Sequence, residues 1–93
     1  MKTEITSCKL ESILNDVRDE LYRACNKFHA YNSAHEGYAV ILEELDELFD
    51  EIKGDHRTKM MYDEAKQIAA TAIRFMYDIC TVSNNPKGEI QQT

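Results

Sequence analysis

The last third of this chain carries a helical pattern that is apolar around most of its circumference. From Thr58 to Val82, residues such as Met60, Met61, Ile68, Ile73, Phe75 and Ile79 point in nearly every direction on a helical wheel. Its polar residues fall on one line, because Glu64, Gln67, Thr71, Arg74 and Asp78 step by 3, 4, 3 and 4. A helix apolar nearly all round is a buried helix. A chain of 93 residues has only two other helical segments to cover it. The spacing therefore predicts a central helix whose cover is completed by another copy of the chain, in an obligate homo-oligomer.

The first of the other two segments runs from about Lys9 to His29. Leu10, Ile13, Leu14, Val17, Leu21, Cys25 and Phe28 draw one narrow stripe, and the remaining faces carry charges including Asp16, Glu20, Arg23 and Lys27. The second runs from Ala34 to Lys53. Ser33 and Glu36 have the spacing of a capping box, and Gly54 after Ile52 and Lys53 marks the stop. Its apolar arc, from Tyr38 to Ile52, centres near Leu45. Asp55 or Thr58 is placed to cap the third segment, and Asn84-Asn85-Pro86 to end it. Residues 1–7 and 84–93 are polar and read as tails. The expected architecture is all-α: one domain with a helical core over about 9–83, a three-helix subunit in an antiparallel bundle completed by oligomerisation.

Composition removes other classes. Three Gly and one Pro are too few for a sandwich or barrel of short strands. Eleven Lys and Arg against seventeen Asp and Glu give a net charge of −6, which repels a phosphate backbone and argues against nucleic acid. No apolar run approaches the roughly 20 residues of a membrane span, and Met1 to Ser7 lack a signal core, so a cytoplasmic location is expected. Cys8, Cys25 and Cys80 form no Cys-x-x-Cys pair. They read as reduced thiols, with Cys25 and Cys80 as small core hydrophobes.

The polar stripe of the third helix needs a polar partner. The second helix offers six acids within nine positions: Glu43, Glu44, Asp46, Glu47, Asp50 and Glu51. The connection between the two is short, so they pack antiparallel and bring Glu64 towards Glu44 and Glu47. Glu44, beside Leu48 on the wheel, is expected at the edge of the core. Three carboxylates at a buried boundary cannot all stay ionised without a counter-charge. A divalent cation such as Mg2+ or Mn2+ would supply it. A network around Arg74 and lysines is the alternative, and a solvated acidic face is the third reading. Arg74 is expected to pair with Asp78 or Glu44, with contact to a phosphate as the other use. Lys53, near the Gly54 turn with Arg57 and Lys59, either meets phosphates or is simply solvated.

Glu43-Glu44-Leu45-Asp46-Glu47 fits the E-E-x-x-E motif of the MazG-like all-α nucleoside triphosphate pyrophosphatases. In that family E-x-x-D follows on the next helix, and the matching element here is Glu64-Ala65-Lys66-Gln67. The strings from His35 to Glu44 and from Gln67 to Phe75 also resemble small phage and prokaryotic members, over roughly residues 10–82.

The resemblance implies hydrolysis of a nucleoside triphosphate to monophosphate and pyrophosphate, in nucleotide-pool housecleaning. Glu44, Glu47 and Glu64 would be catalytic as Mg2+ ligands, with Gln67 as a fourth ligand. It also implies dimers or dimers of dimers, and a base held partly by the first helix and the following loop. That makes Phe28, Tyr31 and Asn32 candidates for base contact, although Phe28 also reads as core and Tyr31 as a staple at the start of the second helix. Gln67 departs from the family's Asp. An amide oxygen adds no charge and cannot act as a base, so the site would be weaker, would recruit metal with its substrate, or would be inactive. A non-catalytic helical oligomerisation protein with a degenerate metal site is the alternative function.

Overall fold

The computed structural model describes residues 3–54 and 57–81. Three helices account for most of them: α1 (Ser7–Lys27), α2 (Ala34–Lys53) and α3 (Thr58–Phe75). The chain then continues through a π-helical turn at Met76–Cys80. The fold is all-α, with no strand among the described residues. No helix among them is long and apolar enough to cross a membrane.

Local chemistry sets the helix ends. α1 opens at Ser7, inside the expected tail, because the Thr6 hydroxyl accepts the Lys9 N–H at 3.3 Å. Ser33 Oγ accepts the Glu36 N–H at 3.0 Å. The reciprocal half of the box differs, since the Glu36 carboxylate takes the N–H of Asn32 instead of that of Ser33. Gly54 ends α2 with φ −79°, an ordinary right-handed conformation, and donates to Asp50 O at 2.9 Å. α3 starts after Arg57 without a side-chain cap, and Thr58 is already helical. The expected cap Asp55, the stop at Asn84-Asn85-Pro86 and the tail over 84–93 lie outside the described residues.

α3 is central. It packs against both α1 and α2, which scarcely meet one another. Gly37 sits against Phe75 and Glu47 against Glu64, so α2 runs antiparallel to α3. Asp16 accepts from the Tyr62 hydroxyl and the His29 carbonyl from Arg74, so α1 runs parallel to α3 with a sequence offset near 46. That offset leaves the first turn of α1 without an α3 residue opposite, and Leu10 is accordingly exposed. The buried line of α1 passes through Val17 and Ala24, with Glu20 and Leu21 partly covered beside them. Cys25 is one step further round the helix and is exposed, as is Cys80; the expectation of two core thiols is corrected on that ground.

α2 is turned relative to its expected orientation. Its covered residues are Gly37, Val40, Ile41, Glu44, Leu48 and Glu51. The arc of Tyr38, Leu42, Leu45, Phe49 and Ile52 lies roughly 100° away, about one residue step. It faces outward, with Leu45 49% and Phe49 55% exposed. Gly37 explains the turn. A Cβ there would stand 2.6 Å from Phe75 Cδ2 and 3.1 Å from Tyr31 Cδ2, so only glycine lets α2 approach α3 on this meridian. Glu44 consequently sits at the middle of the covered face.

Candidate functional site

Because α1 and α2 diverge, a cleft of about 420 Å³ opens between them with α3 as its floor. Ala24, Lys27 and Phe28 contribute from α1, and Val40, Glu43 and Glu44 from α2. Gln67, Thr71 and Arg74 rise from α3. The polar stripe of α3 thus lies at the meeting point of all three helices, and its members Thr71 and Arg74 are buried. Glu64 precedes Arg74 by ten residues, or roughly 15 Å of helix, so the stripe has an acidic end and a basic end.

At the acidic end, Glu43, Glu44 and Glu47 each place one carboxylate oxygen within 4.8 Å of the others. Glu64, on α3, lies outside that group of three but close enough for its charge to act on Glu44 and for that of Glu47 to act on it. Glu44 Oε1 and Glu64 Oε1 are buried and have no hydrogen-bond partner. Among the described residues, no Lys or Arg lies within ion-pair distance of these four acids. Loss of hydration, followed by repulsion from Glu47, Glu64, Glu43 and Glu20, pushes the Glu44 carboxyl up to about 7. Glu64 is raised as well, first by burial and then by Glu47. Carboxylates held close with bare oxygens are hard donors, the chemistry that a divalent cation takes. Gln67, on the cleft floor beside Glu44, adds a neutral amide.

At the basic end, Arg74 is 6% exposed. Its Nη2 donates to the His29 carbonyl at 2.9 Å, and its guanidinium stacks 4.3 Å from the centre of the Tyr31 ring. The expected ion pair with Asp78 or Glu44 does not form. Asp78 Oδ2 instead accepts the Tyr31 N–H at 3.0 Å, because the π-helical turn carries it to the α1–α2 loop. Tyr31 is buried, its hydroxyl directed at the Thr71 carbonyl at 3.5 Å. Burial, opposed by Arg74, raises its phenol. Phe28, at the C-terminus of α1, is half exposed on the cleft wall and has Arg74 Cζ 5.9 Å from its ring centre.

The structure brings together Glu44, Glu47 and Glu64, and places Gln67, Arg74, Phe28 and Tyr31 around the adjoining cleft. It does not bring Lys53 or Asn32 there. Lys53 pairs with Asp50 at 3.6 Å and lies over the Phe49 ring at 4.8 Å, outside the cleft. Asn32 is exposed on the loop and spends its N–H on Glu36. Two cleft residues escape the sequence reading. Glu43 belongs to the motif but was not singled out as a ligand. Glu20, assigned to a solvated face, has a side chain 10% exposed and grips Arg23 through both oxygens. The only sequence signal for Glu20 is its i,i+3 spacing to Arg23, which surface helices share. Comparison with protein-family models, with curated proteins and with solved structures gives no match.

Proposed function

We propose that this chain is a Mg2+-dependent nucleoside triphosphate pyrophosphohydrolase, releasing pyrophosphate and a nucleoside monophosphate. The carrying observation is the pair of orphaned buried oxygens, Glu44 Oε1 and Glu64 Oε1, beside the close carboxylates of Glu43 and Glu47, with no Lys or Arg in ion-pair reach among the described residues. A bound cation relieves such a cluster without protonating it. Glu43 and Glu44 belong both to the cluster and to the cleft wall, so an ion held there faces the ligand space. The likeness of Glu43–Glu47 and Glu64–Gln67 to the MazG-like motifs supplies the reaction class.

In this reading Glu43, Glu44, Glu47 and Glu64 would hold the ion, and Mn2+ suits the same oxygens. When bound, Mg2+ neutralises the carboxylates and polarises phosphoryl oxygens. Gln67 lowers the site's negative charge by one relative to the family pattern, so affinity for the free ion would be weak and the ion would be recruited together with the substrate. Phe28 offers a ring face to a base. A panel of standard and damaged triphosphates, assayed for pyrophosphate with Mg2+, tests the proposal. Release with at least one triphosphate, abolished in Glu47→Gln, is expected. Silence across the panel favours the alternative of a non-catalytic helical assembly protein, a reading that Gln67 and the exposed face of α2 support.

The same proposal includes a homo-oligomer, dimer or tetramer. Tyr38, Leu42, Leu45, Phe49 and Ile52 step by 4, 3, 4 and 3, the spacing of a coiled-coil seam, and all are exposed in the single chain. Exposed patches of this size mark association surfaces. Sedimentation equilibrium tests the assembly: a dimer or larger is expected, and a monomer at micromolar concentration removes this part of the proposal.

A further inference from the structure

Arg74 is a buried cation without an anion. Its guanidinium has five N–H donors, and the one hydrogen bond it makes goes to a neutral carbonyl, His29 O. Among the described residues no carboxylate lies within ion-pair reach of it. Of the acids near it, Glu20 is engaged by Arg23, Glu36 by the Asn32 N–H and Asp78 by the Tyr31 N–H, while Glu43 and Glu44 line the same cleft without pairing with it. Tyr31 and Phe28 fix the guanidinium from its faces, at 4.3 and 5.9 Å, without satisfying the donors along its edge. Lys27 approaches the same Phe28 ring, with Nζ 5.4 Å from its centre, and has no acidic partner either. Both cations line the cleft. A desolvated charge is costly unless paired, and a planar fork of free N–H groups matches an oxyanion.

We propose that the loop end of the cleft is an oxyanion site, with Arg74 as the anchoring donor and Lys27 as the second cation. The site is argued without a metal, because Arg74 lies ten residues along α3 from Glu64, just under three turns, at the other end of the cleft from Glu43 and Glu44. Taking the oxyanion to be a phosphate rests on the hydrolase reading; the anion site itself rests on Arg74 alone. Two sources of that phosphate fit, a nucleotide's own phosphate or free pyrophosphate, and they separate experimentally.

The test is calorimetric titration of the full chain in EDTA, once with inorganic pyrophosphate and once with a nucleoside 5′-monophosphate. Binding of at least one is expected, weakening as salt rises. Tighter binding of the monophosphate assigns the site to a nucleotide, with the base on Phe28. Tighter binding of pyrophosphate assigns it to the free anion. Arg74→Gln is expected to weaken binding about tenfold or more. Lys27→Gln, on an exposed helix surface, keeps the fold and weakens binding severalfold. Lys9→Gln, an exposed cation in the first turn of α1 outside the cleft, leaves metal-free binding intact. Absence of binding for both probes, or affinity unmoved by Lys27→Gln and Arg74→Gln, overturns the inference. Loss of Mg2+ effects with anion binding retained would instead count against the hydrolase reading alone.

Discussion

Removing the charge of Glu44 should stabilise the metal-free protein and abolish its response to Mg2+. In the fold, burial and the neighbouring acids lift this carboxyl from the ordinary 4.5 to about 7. The folded state therefore holds the proton more tightly than the unfolded chain does. Stability contributed by this group is complete below about 4.5 and falls as pH rises towards about 7, above which the loss is constant. At about 1.36 kcal/mol per pH unit the interval corresponds to roughly 3 kcal/mol. Glu44 retains partial contact with solvent, which screens the interaction and brings the figure to about 1–2 kcal/mol. Glu44→Gln keeps the shape and removes the ionisation. In EDTA near pH 8 it should melt roughly 4–15 °C higher than the unaltered chain, using about 4–8 °C per kcal/mol for a domain of this size. Near pH 4, below the unfolded value, the two should melt together. Addition of Mg2+ at high pH should raise the unaltered chain by about 1–3 kcal/mol at ten- to hundredfold excess over Kd, and the variant by much less. Circular dichroism melts across this grid suffice. A wild-type melting temperature flat between pH 5 and pH 8, or a variant less stable than wild type at high pH, would refute the reasoning.

Other perturbations test the frame around the site. Gly37→Ala forces its methyl to within 2.6 Å of Phe75, and should cost about 1–3 kcal/mol in urea unfolding despite the better helix propensity of alanine; unchanged stability would show that α2 does not approach α3 on this meridian. Asp78→Ala strands the Tyr31 N–H and should cost about 1–3 kcal/mol, with faster hydrogen exchange at that amide as the specific readout. Leu45→Glu and Phe49→Glu place charges on the exposed seam of α2, and should convert the proposed oligomer to monomer in sedimentation while helicity is retained. If both variants sediment as the parent does, the seam is not the contact.

Helix number, the limits of α2 and the central position of α3 follow from period and capping chemistry alone, whereas α1 opens two residues early and α3 gives way to the π-helical turn after Phe75. The 3-4 line of Glu64, Gln67, Thr71, Arg74 and Asp78 has one reading on a helix otherwise apolar, and α3 does pack on both neighbours. The rotation of α2 was not legible. Hydrophobicity chooses the face centred on Leu45, because the most apolar arc is the natural core face. A single backbone contact, Gly37 on Phe75, turns the helix by about one residue. A wheel has no means of weighing that contact, since it represents glycine only as a weak hydrophobe. The rotation places Glu44 inside and leaves a second apolar face unspent, which a helix needs when it has two surfaces to satisfy.

The basic end of the cleft was misread for a related reason. Sequence spacing finds partners along one helix, so Arg74 was matched with Asp78 four residues on. The π-helical turn at Met76–Cys80 breaks that geometry. A wider turn swings Asp78 away from the α3 meridian and towards the loop, where the Tyr31 N–H takes it. Arg74 is left to stack on Tyr31, with its free donors towards the space between α1 and α2. That space exists only because α1 and α2 do not meet. Had they closed over α3, Glu20 and Arg23 would have been the surface pair that their spacing suggests, and Arg74 would have needed Asp78. The divergence of two helices and one irregular turn thus separate the charges of α3 into an acidic end and a basic end, with no ion pair at either among the described residues; the substrate proposed above, a phosphate ester carrying a divalent cation, would complement both.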